Sequence, residues 1–221
     1  MIEAARCLAR HGPSVRAVVL QGAGPHFSVG GNPFQRDTKR LSLAVSAAAI
    51  CAAYNGFFEL RALDLPIACA VHGKLIGGGI AACMNTDYVV ADSQALFEHG
   101  NLVRGVCPLG TLSQTLVKAV GCGRALRLYL TNETLDSASA LSAGLVHEVC
   151  GDGLEATRRR ATAISWRLSQ TPELASALVE ARDPVDSKLV AAEAVGHASC
   201  LKANGGRYAD SALPQPDDGS P

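Results

Sequence analysis

Short apolar runs alternate with longer stretches of helical periodicity along the chain, and this pattern predicts an α/β fold. Val15–Leu20 and Ile67–Val71 are mostly apolar and run into glycine-rich loops, which is typical of buried strands. Apolar residues at helical spacing predict helices over Ile2–His11 and Leu41–Leu63. Strands that are separated by helices imply crossover connections between the strands.

The pattern divides the chain into a mixed region, a helical region and a polar tail. Three later strands are predicted at Tyr88–Ala91, Ala95–Phe97 and Leu145–Val149. We assign residues 1–150 to an α/β core and residues 151–206 to a group of C-terminal helices. Residues 207–221 are polar and rich in proline, which favours a disordered tail or an interdomain linker.

The composition excludes several classes of function. The formal net charge is +0, so no basic surface for nucleic acid is expected. No apolar run reaches the ~18 residues of a membrane span, and the N-terminus lacks the pattern of a secretory signal. The eight cysteines form no CxxC pair and no zinc-type cluster, which favours reduced core thiols in a cytoplasmic protein.

Two glycine-rich loops carry the candidate chemistry. Phe27–Asn32 follows the first buried strand, and His72–Gly79 follows the second and opens a helix. Glycine lets the backbone approach a ligand closely, and two backbone N–H groups that converge on one carbonyl oxygen form an oxyanion hole. The alternative for either loop by itself is a tight turn that serves packing only.

Further motifs follow these loops in a fixed order. They are Asp87–Ala91 for D-x-x-x-A, Ala95–Asn101 for A-x-F-x-x-x-E, Gly105–Gly110 for G-x-x-P-x-x-G and Ala140–Val146 for A-x-x-x-G-L-V. With the two loops ahead of them, the chain resembles the crotonase superfamily of enoyl-CoA hydratases and isomerases over about Val15–Val149.

The resemblance implies a crotonase fold, which is a core spiral of ββα turns with a C-terminal helical region. It implies an acyl-CoA or acyl-carrier-protein substrate and a homotrimer or hexamer, with no cofactor beyond the CoA or phosphopantetheine arm. The family's two oxyanion donors fall on Gly31 and Gly78. The strand pair that precedes the first helix in the family has no counterpart here, which implies a fragment or a truncated chain and favours a carrier-protein substrate.

The chain departs from the family at both positions where hydratases carry catalytic glutamates. These positions hold Ala81 and Asn101, and neither side chain can transfer a proton at neutral pH. Hydration by two carboxylates is therefore not expected. His99, close to the second position, and Asn101 itself are candidate site residues, because the A-x-F-x-x-x-E register places both beside the substrate.

Crotonases without the glutamate pair include decarboxylases that act on glutaconyl groups during polyketide biosynthesis. The resemblance to these enzymes points to Lys39, after the first loop, as the group that binds the departing carboxylate. It points to His197, in the last helical stretch, as the proton donor. Three alternatives stay open: both side chains are ordinary solvated or helical residues, the chain is an unconventional hydratase or isomerase that uses His99, or it is a non-catalytic scaffold.

Overall fold

The structure, a computed structural model, describes residues 2–10, 14–31, 41–151, 153–182, 184–206 and 208. Its helices are α1 (Ile2–Arg10), α2 (Leu43–Arg61), α3 (Gly78–Met84), α4 (Leu112–Val120), α5 (Cys122–Thr131), α6 (Ser137–Ala143), α7 (Leu154–Ser169), α8 (Pro172–Glu180) and α9 (Ser187–Ala203). Its strands are β1 (Val18–Gln21), β2 (Ile67–Val71), β3 (Lys74–Ile76), β4 (Tyr88–Asp92), β5 (Leu96–Glu98), β6 (Thr134–Asp136) and β7 (Glu148–Cys150). Lys39 and the predicted tail, apart from Tyr208, lie outside the described residues.

The strands form two sheets, and the chain passes repeatedly from one sheet to the other. In the first sheet β1, β2, β4 and β7 lie side by side in that order and pair in parallel. The second sheet has the order β3-β5-β6, in which β3 is parallel to β5 and β5 is antiparallel to β6. One turn of the spiral is formed by β2, β3 and α3, so the predicted ββα architecture is present.

Both faces of β2 are covered, which explains why its sequence is apolar without interruption. Cys69 and Val71 face the main core. Ala68 and Ala70 face the opposite way and pack against Ala161 of α7. All five residues of β2 are buried, so the strand holds the loop that follows it on a fixed base.

The late strand begins at Glu148, later than the predicted Leu145–Val149 strand. The reason lies at the end of α6, where the backbone N–H of Leu145 donates to the carbonyl of Ala140 at 2.9 Å. This bond keeps Leu145 in the turn that closes the helix, and its side chain is buried in the main core instead of continuing a strand.

The long apolar helix α2 forms a cover over the site together with α9. Among the described residues, only Leu43–Arg61 is long and apolar enough to cross a membrane by length and composition, with a hydropathy of 1.4. This corrects the sequence-based expectation that no segment reaches that length. In this fold the helix packs against α1 and α9, and a packed helix of a folded domain passes the same test.

A buried ion pair ties the helical region to the core. The guanidinium of Arg182 donates to both carboxylate oxygens of Asp87, at 2.8 and 2.6 Å. It also donates to the carbonyls of Arg61, Leu63 and Leu65, at 2.7, 2.7 and 2.6 Å. One side chain after α8 thereby fixes the connection between α2 and β2.

Candidate functional site

The two glycine-rich loops lie side by side because their chain segments run in parallel register. Ser28 and Leu75 form a parallel bridge, in which the N–H of Ile76 donates to the carbonyl of Ser28 at 2.8 Å. Parallel segments advance together, so three residues beyond the bridge the chain reaches Gly31 on one segment and Gly78 on the other. The register therefore brings the two predicted oxyanion residues to the same place.

The turn before Gly78 requires a glycine. Gly77 has φ 55 and ψ −112, a conformation that side-chain-bearing residues rarely adopt, and it joins β3 to α3. Its own N–H is committed to the carbonyl of Glu98 at 3.1 Å. No described acceptor receives the backbone N–H of Gly31 or of Gly78, so both donors are available for a ligand.

One cleft contains four of the six predicted site residues. Gly31, Gly78, Asn101 and His197 all line it. Their catalytic roles stay predictions, as does that of Lys39, which lies outside the described residues. Further lining residues that sequence reasoning missed are Tyr54, Arg104 and Tyr208.

His99 does not line this cleft. Its ring lies in a separate, mostly apolar cavity with Phe97 and Leu128 and packs edge-on against Tyr129, with ring centroids 5.1 Å apart. The strand β5 ends at Glu98, and Gly100 has φ 71, so the alternation of side chains is broken between His99 and Asn101. The expectation that both residues line one pocket is therefore corrected.

The imidazole of His197 is held in one tautomer. Its Nδ1 lies 2.9 Å from the carbonyl oxygen of Cys107, which can only accept, so Nδ1 carries the proton. Nε2 is then the basic nitrogen, and no described residue is its hydrogen-bond partner. Burial lowers the pKa of His197, which keeps the ring neutral near pH 7.

The side chain of Asn101 shares the carbonyl that holds His197. Its Nδ2 donates to the Cys107 carbonyl at 3.0 Å, and this bond fixes the orientation of the amide. The opposite atom, Oδ1, is buried and has no hydrogen-bond partner among the described residues. One carbonyl, that of Cys107, therefore fixes both the Asn101 amide and the His197 ring.

The position of the other family glutamate is filled by the packing around Ala81. Ala81 is fully buried, and an ideal Cβ on Gly110 would lie 3.1 Å from its Cβ and 2.9 Å from the ring of Tyr54. The ring of Tyr54, from α2, and the methyl group of Ala81 thus both lie against Gly110. Ala81 is closely surrounded, which leaves little space for a longer side chain there.

Two tyrosine hydroxyls flank the two oxyanion glycines. An ideal Cβ on Gly78 would lie 2.9 Å from the hydroxyl of Tyr54, and one on Gly31 would lie 2.9 Å from the hydroxyl of Tyr208. Burial is the main cause that raises the pKa of Tyr54 to about 12, and burial also raises the pKa of Tyr208. Both phenols therefore stay protonated at neutral pH and can donate.

Two other ionisable side chains near the cleft, Glu193 and Cys107, are unavailable as a base or a nucleophile. Both carboxylate oxygens of Glu193, one helical turn before His197, accept from the N–H groups of Thr111 and Ser113 at 2.7 and 3.1 Å. Burial and the neighbouring thiol of Cys200 raise the pKa of Cys107 to about 11, so its thiol is protonated and weakly nucleophilic. Glu193 fixes α9 against the start of α4 and thereby supports the position of His197.

The geometry can be compared with known proteins. Residues 2–195 match the family model of enoyl-CoA hydratase/isomerase. The chain belongs to the enoyl-CoA hydratase/isomerase family. This family member is 31% identical over 170 residues to a probable enoyl-CoA hydratase of Mycobacterium tuberculosis, a match that spans 76% of this chain but only 64% of that relative.

Solved structures confirm the crotonase fold. An enoyl-CoA hydratase from Polaromonas sp. JS666 superimposes with a TM-score of 0.73 at 26% identity, over 93% of this chain and 81% of that one. An enoyl-CoA hydratase from Bacillus halodurans gives a TM-score of 0.77 over 92% of this chain and 84% of that one, at 19% identity, and so supports the fold alone. The chain thus has the crotonase fold of these structures.

Proposed function

We propose that this chain hydrates an enoyl thioester with His197 as the general base in place of the missing glutamates. The supporting observation is the fixed tautomer of His197, which leaves Nε2 as the basic nitrogen of a side chain that lines the same cleft as Gly31 and Gly78. A neutral imidazole with a lowered pKa is suited to remove a proton near pH 7. It is less suited to the proton-donating role that decarboxylation would require.

The proposed step balances as the addition of one water molecule. Water gives a proton to Nε2 of His197 and bonds to the β-carbon. The electron pair of the double bond moves to the α-carbon and the thioester oxygen, where the N–H groups of Gly31 and Gly78 stabilise the charge. The hydroxyl of Tyr208 then protonates the α-carbon, and the proton on His197 returns through solvent to Tyr208.

Decarboxylation of a glutaconyl-type thioester is the second candidate, and Arg104 in the cleft favours it. In that reaction the bond to the carboxylate breaks, carbon dioxide leaves, and the electron pair reaches the same thioester oxygen before one proton is added. Arg104 would take the role that the sequence suggested for Lys39. Whether the acyl group is carried by CoA or by a carrier protein is tested by offering each thioester in both forms.

The decisive experiment is mass spectrometry of crotonyl and glutaconyl thioesters, on CoA and on an acyl carrier protein, after incubation with the protein. We expect a gain of water, and we expect His197→Gln and Tyr208→Phe each to lower kcat/KM by about 10²–10⁴. His147, which stacks on Tyr88 and does not line the cleft, supplies the control His147→Gln, which should keep its activity.

The pH dependence separates the two candidates. If His197 acts as a base, kcat/KM rises with pH through a midpoint below 6.5 and is then flat. If it acts as an acid, kcat/KM falls over the same range. Loss of carbon dioxide, or full activity of His197→Gln, would refute the hydratase proposal.

A further inference from the structure

Arg104 is the one formally charged side chain among the described residues that line the cleft. It belongs to a short 3₁₀ turn, Leu102–Arg104, which follows Asn101. Side chains three residues apart are eclipsed in such a turn. Arg104 therefore leaves the backbone on the same side as Asn101, toward the reacting part of the substrate.

The backbone that carries Arg104 is held firmly. The N–H groups of Arg104 and Val106 both donate to the carbonyl of Asn101, at 3.1 and 3.0 Å. The amide of Asn204, at the end of α9, donates to the carbonyl of Gly105 at 2.9 Å. The same helix that carries His197 thus also fixes the base of Arg104.

The charge of Arg104 has no counter-charge among the described residues. No described carboxylate forms an ion pair with it. Glu193 is occupied by backbone donors of α4, and Glu98 accepts from the amide of Asn132 at 2.8 Å. Burial raises the pKa of Tyr208 while the charge of Arg104 opposes the shift, which places the guanidinium charge close to the Tyr208 hydroxyl.

A partly buried guanidinium without a described partner is stabilised when it binds an anion. Its planar set of N–H donors matches the two oxygens of a carboxylate best. The thioester oxygen is expected at Gly31 and Gly78, and the acyl carbons extend from there toward His197. Arg104 lines this cleft three residues after Asn101, the position at which hydratases carry a catalytic glutamate, and its N–H donates to the Asn101 carbonyl. The anion that it meets is therefore part of the acyl group.

We infer that Arg104 binds a carboxylate at the far end of the acyl chain, so that the substrates are ω-carboxyacyl thioesters. The inference rests on the proposed thioester function, but it holds for either candidate reaction. It predicts discrimination between two ligands that differ only by the terminal carboxylate. Because a saturated acyl group cannot be hydrated, binding can be measured without turnover.

The test is calorimetric titration of the protein with glutaryl-pantetheine and butyryl-pantetheine, which lack the phosphates of CoA. We expect the glutaryl thioester to bind about 10- to 100-fold more tightly, the range of a charge-assisted hydrogen-bonded pair. Arg104→Gln should abolish this preference by weakening glutaryl binding much more than butyryl binding. Arg104→Lys should keep part of it, and the exposed Arg124→Gln on α5 serves as the matched control.

The possible results distinguish a failure of carboxylate binding by Arg104 from a failure of the proposed thioester function. Equal binding of the two thioesters by the unmodified protein would overturn the role of Arg104 and leave the proposed function standing. An equal loss of both ligands in Arg104→Gln would also overturn it, because Arg104 would then contact the pantetheine arm. If neither thioester bound, the proposed function itself would fail and the inference with it.

Discussion

The contact between Gly78 and Tyr54 allows a test of the site that needs no substrate. A methyl group placed on Gly78 would lie 2.9 Å from the hydroxyl oxygen of Tyr54, whereas the next nearest atom, Cζ of the same ring, is 3.6 Å away. The first distance is a clash, and the second is ordinary van der Waals contact. Gly78→Ala should therefore be destabilising because of a single oxygen atom.

The size of the effect follows from packing energetics. Inserting a methyl group into a filled site costs about 1–3 kcal/mol. For a domain of this size a loss of 1 kcal/mol lowers Tm by about 2–4 °C. We expect Tm of Gly78→Ala to fall by roughly 2–12 °C, and Tyr54→Phe, which removes the oxygen, to restore most of that loss in the double variant.

A second glycine supplies the control for the thermal unfolding assay. Gly196 lies inside α9, and an ideal Cβ there meets only Cys107 Sγ at 3.5 Å and Cβ at 3.8 Å. Gly196→Ala should raise the free energy of unfolding by about 0.4–1 kcal/mol, because alanine lowers the entropy of the unfolded chain. If Tyr54→Phe failed to rescue Gly78→Ala, the hydroxyl would not lie against Gly78 and the description of the site would be wrong.

Two further predictions concern stability. Arg182→Met should cost about 3–5 kcal/mol in urea unfolding, because Asp87 is left buried without its partner, and adding Asp87→Asn should recover part of the loss. A loss below about 1 kcal/mol would contradict a buried pair. Burial lowers the pKa of His99 to about 4, so the unfolded state binds more protons between about pH 6.5 and pH 4. His99 should contribute a loss of stability of up to ~3 kcal/mol as the pH drops through that window, and His99→Phe, which suits the apolar cavity, should remove that contribution and leave the smaller ones of His147 and His197.

Much of the fold and the two oxyanion residues could be predicted from the sequence because their signals are local. The uninterrupted apolar run of β2 indicates a strand that is covered on both faces. Gly77 is required by the turn itself because of its positive φ, whereas Gly78 and Gly79 are limited by the neighbouring side chains of Tyr54 and Ser28. The departures at Ala81 and Asn101 were visible for the same reason, since each sits inside a short motif.

The rest of the site was decided by tertiary structure, because its groups come from distant parts of the chain. His197 and Asn101 meet on the carbonyl of Cys107, and no sequence spacing indicates a shared acceptor. Tyr208 falls in a segment that composition assigns to a tail, yet its ring packs edge-on against His197 with centroids 5.8 Å apart. The left-handed backbone of Gly100 turns His99 away from the cleft, an effect that strand periodicity could not anticipate. Local backbone conformation can thus be predicted from the sequence. Which side chains share one cavity is determined by how the ββα spiral and α9 pack together.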